Sequence, residues 1–139
     1  MVNLSFLERK LSRLVEYIDD LDEQKGITLA DWQSNKILRN HIERTLHKAV
    51  ETCLDIGKHV IVSLRLRTPD DYKDIMVILT EANILPKERL GRYVKMAQFR
   101  NVIVHDYDDI DPVIVFAVLR KDLDDLRFFA HVVKNQFCS

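Results

Sequence analysis

PKERLGRYVKMAQFRNVIVHDY, residues 86–107, is the stretch of sequence that decides the predicted fold. A helix drawn through it has apolar residues on two sides. Leu90, Val94 and Ala97 lie on one side, and Met96, Phe99 and Ile103 lie on the other. A helix that is apolar on two sides is packed by neighbours on both flanks. The segment therefore predicts the central helix of a bundle.

The three prolines predict where helices begin on either side of this segment. Pro69 follows Thr68 and Pro112 follows Asp111, and both Thr and Asp are good N-cap residues. Proline suits the first helical position because its missing N–H has no partner there. With Pro86 as a third start, the sequence predicts five helices. Their approximate ranges are 3–23, 28–66, 69–82, from 86 to near 105, and 112–136.

The remaining apolar residues support this pattern. The first helix has one apolar stripe, formed by Leu4, Leu7, Leu11, Leu14, Ile18 and Leu21. The inward face of the long second helix is formed by Ile42, Leu46, Ala49, Val50, Cys53, Val60 and Leu64, and Gly57 is a predicted weak point. No stretch alternates in the way a strand would. We predict an all-α, up-and-down bundle of four to five helices, forming a single domain over residues 1–139.

Composition narrows the classes of function. The 139 residues are 47% hydrophobic and 31% charged, which is typical of a globular protein, and the net charge is −1. No global positive field attracts nucleic acid, although one small basic patch could still bind it. Cys53 and Cys138 have no metal-binding spacing and are predicted to be free thiols, with Cys53 in the core. No signal peptide or membrane-spanning run is visible, so we expect a cytoplasmic protein with no membrane association.

Four polar side chains interrupt the apolar pattern at the end of the fourth helix: Arg100, Asn101, His105 and Tyr107. Asn101 and His105 are four residues apart and share a helix face, and Arg100 lies about 100° from Asn101 around the axis. Burying such groups is costly unless they are paired or line a cleft. A cleft lined by these side chains would be suited to binding an anion.

These residues resemble the motif of the HEPN superfamily, and in particular that of its HepT-like toxin branch, Arg-x-x-x-x-His-x-Tyr. Arg100, His105 and Tyr107 stand at its three fixed positions. The resemblance extends to the long second helix, residues 42–56, and to chain length and helix order. It implies a HEPN-like helical fold and an endoribonuclease that cleaves RNA without a metal ion or other cofactor.

The chemistry of RNA suits these side chains. The 2′-hydroxyl of RNA attacks the neighbouring phosphorus once a base removes its proton, which leaves a 2′,3′-cyclic phosphate. We expect His105 to be that base, Arg100 to neutralise charge in the transition state, and Asn101 to orient the histidine or the phosphate. One motif supplies one histidine, while the reaction benefits from a base and an acid. We therefore predict a homodimer with the site at its interface.

The resemblance assigns Tyr107 a separate role. HepT-like toxins are paired with a minimal nucleotidyltransferase antitoxin in type VII toxin–antitoxin systems. That partner attaches adenylate to the tyrosine that corresponds to Tyr107. The added phosphodiesters bring negative charge and bulk, which would oppose RNA binding beside Arg100. ATP and magnesium for this transfer would be held by the partner.

Other interpretations stay open at this point. Arg100 and His105 could be buried, structural residues bonded to carboxylates of the second helix, in a non-catalytic module that binds a nucleotide or docks the nucleotidyltransferase. Glu51 is a candidate to orient Arg100. His47, Glu51, Asp55 and His59 recur every four residues, which would also suit a metal site, but a solvated or pairing stripe is favoured because di-iron bundles use another spacing.

Further charged and aromatic residues receive simpler predictions. The start of the fourth helix is basic and could hold phosphates flanking the scissile bond; its cations are Lys87, Arg89, Arg92 and Lys95. Residues 119–127 are predicted to be a solvated, mixed-charge face. Tyr72, like the other large aromatics, is predicted to be a core or interface residue.

Overall fold

The computed structural model describes residues 2–105 and 112–138, with the backbone alone for residues 102–105, 112 and 114. The described residues form six α-helices and one 3-10 turn. The helices are α1 (Leu4–Glu23), α2 (Leu29–Ser34), α3 (Lys36–Ser63), α4 (Tyr72–Glu81), α5 (Leu90–His105) and α6 (Pro112–Phe137), and the 3-10 turn is Lys87–Arg89. The described ranges contain no strand, which confirms the all-α prediction.

The predicted long helix over residues 28–66 is wrong at its start, because Asn35 divides it into α2 and α3. Thr28 does cap α2, since its hydroxyl accepts from the Asp31 N–H. Asn35, however, has extended backbone (φ −107°, ψ 90°), and its side chain accepts from the Leu38 N–H at 3.0 Å. An asparagine in that conformation satisfies an orphan N–H of the following helix. It therefore ends α2 and begins α3.

The end of that helix also differs from the prediction. α3 stops at Ser63, and Arg65 adopts the left-handed conformation (φ 56°). The Leu66 N–H then donates to the Ile61 carbonyl at 3.0 Å, which is the hydrogen bond of a Schellman C-cap. Leu64 follows the last helical residue and is 41% exposed, so its predicted inward position is wrong.

The three prolines differ in what they do. Pro112 is the first residue of α6, as predicted, and its predicted cap Asp111 lies outside the described residues. Pro86 precedes the 3-10 turn that leads into α5. The start predicted at Pro69 is wrong, because α4 begins at Tyr72, where the Asp71 side chain accepts from the Asp74 N–H at 2.8 Å. A carboxylate three residues before an unpaired N–H makes the stronger cap.

The core is organised around α3, which contacts α1, α2, α4, α5 and α6. The segment predicted to be central, now α5, packs against α3, α4 and α6. Of its predicted apolar residues, Ala97, Met96 and Phe99 are buried, Leu90 and Val94 are half-buried, and the side chain of Ile103 lies outside the described residues. The stripe of α1 is also buried, except for Leu4, which is 50% exposed at the helix start. None of the described helices is long and apolar enough to cross a membrane.

Gly57 allows α3 and α4 to approach closely. A Cβ built on this residue would lie 2.6 Å from Ile75 Cγ2 and 3.3 Å from Leu79 Cδ1, and both neighbours belong to the buried face of α4. Gly57 lies within an unbroken α3, so the predicted weak point is a close-packing position. This approach places the beginning of α4 beside the outer face of α3, where the candidate site lies.

Candidate functional site

α5 carries Arg100 and Asn101 to the surface of the bundle near its own C-terminus. The Arg100 side chain is 15% exposed, and Asn101 is exposed. α5 ends at His105, whose side chain lies outside the described residues, as does the whole of Tyr107. The predicted roles of these two residues therefore stay predictions.

Three neighbours hold the Arg100 guanidinium. Its Nε–H donates to Glu51 Oε1 at 2.5 Å, and its Nη1 donates to Asn101 Oδ1 at 3.3 Å. Its central carbon lies 4.2 Å from the centroid of the Tyr72 ring, which is within range for a cation–π contact. An ion pair, an amide and an aromatic ring together fix the plane and the direction of this group.

Glu51, on α3, contacts two nitrogen-bearing side chains through the same oxygen. His47 Nε2 lies 3.3 Å from Glu51 Oε1, the atom that accepts from Arg100. The carboxylate is 29% exposed, so water still reaches it. The ion pair between Arg100 and a carboxylate of the long helix is thus present, whereas a role for Glu51 in catalysis stays a prediction. The favoured interpretation of the residues that recur every four positions on this helix was a solvated or pairing stripe, and the partner of His47 is Glu51.

Tyr72 is the site residue that the sequence did not reveal. It is the first residue of α4, it is half-buried, and it contacts Arg100 by its ring face. Lys58 of α3 also lies on this ring, with Nζ 4.8 Å from the centroid. Tyr72 and Arg100 are 28 positions apart, and no spacing in the sequence connects them. Their contact follows from the close approach of α4 to α3.

The alternative metal stripe divides into separate contacts. Asp55 pairs with Lys10 at 3.3 Å, and His59 Nε2 accepts from the Asn3 N–H at 3.1 Å while its ring lies 4.4 Å from the ring of Phe6. Burial lowers the pKa of His59 below its usual value, because it disfavours the charged imidazolium. Among the residues described, no group of three or more His, Cys, Asp or Glu side chains is arranged to hold a metal ion.

Two of the four cations predicted to hold phosphates form ion pairs with a carboxylate of α6, and a role for the four in binding RNA stays a prediction. Arg89 and Arg92 lie 3.4 and 3.3 Å from Asp125 Oδ1. Asp125 is 2% exposed, so residues 119–127 are not uniformly the solvated face expected from the sequence. Burial raises the pKa of Asp125, and it raises the pKa of the neighbouring Asp122 to about 7. These arginines compensate buried charge in the bundle.

Cys53 is an inert core residue, as predicted. It is fully buried, it forms no disulfide, and burial raises the pKa of its thiol far above the usual range. Cys138 is likewise a free thiol, half-buried near the end of the chain.

Comparison with known proteins shows which family this chain resembles. The model of the family described as "Ribonuclease HepT-like" matches residues 14–133. The mRNA nuclease HepT of Shewanella oneidensis is 29% identical over 99 residues, which cover 71% of this chain and 74% of that protein. The tRNA nuclease HepT of Aphanizomenon flos-aquae is 28% identical over 129 residues, which cover 93% of this chain and 88% of that protein.

A solved structure has the same fold. It is a tri-AMPylated Shewanella oneidensis HEPN toxin in complex with an MNT antitoxin, and it superposes with a TM-score of 0.84 at 24% identity, covering 98% of this chain and all of that chain. The resemblance inferred from the Arg-x-x-x-x-His-x-Tyr motif is therefore confirmed. With 120 consecutive residues matched by the family model and the helical architecture shared throughout, this chain belongs to the ribonuclease HepT-like family.

Proposed function

We propose that this protein is a toxin endoribonuclease that cleaves RNA at a phosphodiester bound by Arg100. One observation supports this above all others: the Arg100 guanidinium is held by Glu51 on one edge and by the Tyr72 ring on one face, at a position that solvent reaches. A planar guanidinium held in this way is preorganised for two phosphate oxygens and for the charge that develops at phosphorus. Family membership supplies the class of reaction.

The proposed reaction needs no metal ion. His105 removes the proton from the ribose 2′-hydroxyl, the 2′-oxygen bonds to phosphorus, and the bond from phosphorus to the 5′-oxygen breaks. A proton from an acid goes to that 5′-oxygen, and the products carry a 2′,3′-cyclic phosphate and a 5′-hydroxyl. Arg100 stabilises the added charge, and Asn101, which already contacts Nη1, helps to orient the group. We propose that a homodimer brings a second His105 to the interface as the acid.

We further propose that a nucleotidyltransferase partner inactivates the protein by adenylylating Tyr107. Similar proteins support this: one is an AMPylated toxin in complex with an MNT antitoxin, and two are nucleases that act on mRNA or tRNA. Tyr107 is two residues beyond His105 in the sequence, so adenylate groups there would add negative charge beside the catalytic motif. The proposed site of action is the cytoplasm, where RNA and ATP are present.

Purified variants test the catalytic proposal. We expect Arg100→Ala and His105→Ala each to lower the single-turnover rate of RNA cleavage by at least about a hundredfold, as is typical when a general base or a charge-stabilising group is lost. Arg13→Ala is the matched control, since Arg13 is an exposed arginine of α1. The wild-type rate should persist in EDTA. Wild-type cleavage by His105→Ala, or cleavage that stops in EDTA, would contradict the proposal.

A second candidate is a non-catalytic module that binds a nucleotide or docks the nucleotidyltransferase. The observation that favours it is the Glu51–Arg100 ion pair, because a carboxylate already offsets the charge that a phosphate would need. Expression separates the two candidates. The nuclease predicts a toxic wild type and a harmless Arg100→Ala variant. The module predicts a harmless wild type that the partner still adenylylates at Tyr107, detectable by mass spectrometry.

A further inference from the structure

A second cation, Lys58, lies next to the Arg100 site and contacts the same Tyr72 ring. Lys58 Nζ and the Arg100 guanidinium carbon lie 4.8 and 4.2 Å from the centroid of the same ring. Two cations this close to one centroid are at most about 9 Å apart. They belong to different helices, α3 and α5, and the first residue of α4 supplies the ring that both contact. Three helices therefore converge on this cluster.

The charges around the cluster leave Lys58 as the cation that is least compensated. Glu51 offsets the charge of Arg100, whereas Lys58 is exposed and forms no ion pair with any carboxylate in residues 2–105 or 112–138. Asp55, one turn from Lys58 on the same helix, would repel a phosphate if it were unpaired, but Lys10 pairs with it at 3.3 Å. Among the described residues, Lys58 is therefore the cation of this cluster that has no carboxylate partner.

The position of Lys58 suits a strand that extends from the site. Glu51 and Lys58 are seven residues apart, so they lie on one face of α3 and about 10 Å apart along its axis. A single RNA strand with one phosphate on Arg100 would pass Lys58 with an adjacent phosphate if it followed this face. The Tyr72 ring contacts both cations before RNA binds. Because this contact already restricts the Lys58 side chain, less side-chain entropy is lost when Lys58 binds a phosphate.

We propose that Lys58 and Tyr72 form an RNA-binding subsite for the phosphate next to the scissile one. The ligand is single-stranded RNA, recognised through its backbone and independently of base sequence. Lys58 contacts the phosphate, and Tyr72 is a positioning residue that holds Lys58 and Arg100 in register. The inference rests on the proposed function, because it takes Arg100 as the group that binds the scissile phosphate.

Binding to a non-cleavable strand tests the subsite without depending on catalysis. The probe is a fluorescein-labelled, uniformly 2′-O-methylated single-stranded oligonucleotide, titrated with the full chain at several salt concentrations. We expect Lys58→Gln to weaken binding roughly fivefold at low salt and to reduce the salt-dependence slope by about 0.7, the share of one phosphate contact on a single strand. Lys36→Gln is the control, since Lys36 is an exposed lysine about 33 Å away along the same helix.

Two variants test the role of the Tyr72 ring. Tyr72→Phe keeps the ring and should bind the probe and cleave RNA like the wild type, whereas Tyr72→Leu should lose both affinity and rate. Cleavage by Lys58→Gln should show a raised KM with kcat within about twofold, because a flanking contact is equal in ground and transition states. Melting curves of every variant confirm folding before binding is compared.

Three results would overturn the subsite. They are an unchanged salt slope in Lys58→Gln, an equal loss in Lys36→Gln, and a Lys58→Gln defect confined to binding of the nucleotidyltransferase. Failure of the proposed function differs from all three, because inactivity of the wild type in cleavage leaves the probe-binding comparison intact.

Discussion

Replacing Gly57 by alanine tests whether close packing of α3 on α4 shapes the site. The new Cβ would lie 2.6 Å from Ile75 Cγ2. That methyl group is attached directly to the Ile75 Cβ, and Ile75 is fully buried with a stiff, β-branched side chain. It can therefore move only if the backbone of α4 moves with it. Leu79 Cδ1, at 3.3 Å, lies at the end of a more flexible side chain and can adjust.

Two opposing terms set the size of the effect. Alanine favours an interior helical position over glycine by about 1 kcal/mol. Overpacking a dense core costs about 1–3 kcal/mol, and the short contact with Ile75 places this case in the upper part of that range. We expect Gly57→Ala to lower the free energy of unfolding by about 1–2 kcal/mol, which corresponds to a fall in Tm of about 5 °C for a domain of this size.

Denaturant and thermal unfolding followed by circular dichroism give the assay. Gly91→Ala is the control, because a Cβ there meets nothing within 4 Å, and it should be neutral or slightly stabilising. In an Ile75→Ala background, which lacks the clashing methyl group, Gly57→Ala should become neutral or stabilising. A Gly57→Ala variant as stable as the wild type, or one with the same cost in both backgrounds, would refute the reasoning.

The other predictions concern charge and capping. Glu51→Gln should lower the cleavage rate about tenfold or more and destabilise the fold by about 1–2 kcal/mol, because the charge of the mostly buried Arg100 then has no compensating carboxylate. Cleavage rates and melting curves test this, with the exposed Glu16→Gln as the control. For Asp122, whose pKa burial raises to about 7, the folded state binds the proton more tightly than the unfolded state, so its contribution to stability is lost as pH rises from about 4 to 7. Asp122→Asn should therefore gain in Tm over the wild type across that range, and a difference that is independent of pH would contradict this. Asn35→Ala should cost about 1 kcal/mol in unfolding measurements while Asn35→Asp keeps the cap, and equal losses in both would show that the capping bond is not the cause.

The sequence predicted the parts of the fold that depend on local periodicity. The stripe of α1 repeats every three or four residues and is buried from Leu7 to Leu21. Pro112 begins α6 because the ring of proline suits that position. Asn35 was missed because asparagine inside an apolar pattern looks like a surface residue until its backbone is known. Asp71 and not Thr68 caps α4, because the residue that caps a helix depends on the path of the preceding loop.

Residues that are distant in the sequence limited how much of the site could be predicted. The resemblance to the HEPN motif pointed to Arg100, Asn101 stood out as a polar residue in an apolar helix, and Glu51 was a candidate because it lies on the long second helix. Tyr72 could not be inferred, since its contact with Arg100 requires α4 to lie close to Gly57. The burial of Asp125 was missed for a related reason: it is one carboxylate in a charge-rich segment, and its partners, Arg89 of the 3-10 turn and Arg92 of α5, are distant in the sequence.

The chemical form of the new RNA ends tests the central claim most directly. The account predicts that this protein, in EDTA, leaves 2′,3′-cyclic phosphate and 5′-hydroxyl ends, identified by mass spectrometry of the fragments. It also predicts that 2′-O-methylation of the strand stops cleavage, because the attacking oxygen is then blocked. Fragments with 3′-hydroxyl and 5′-phosphate ends, or cleavage of the methylated strand, would show that water attacks phosphorus and would contradict the roles given to Arg100 and His105.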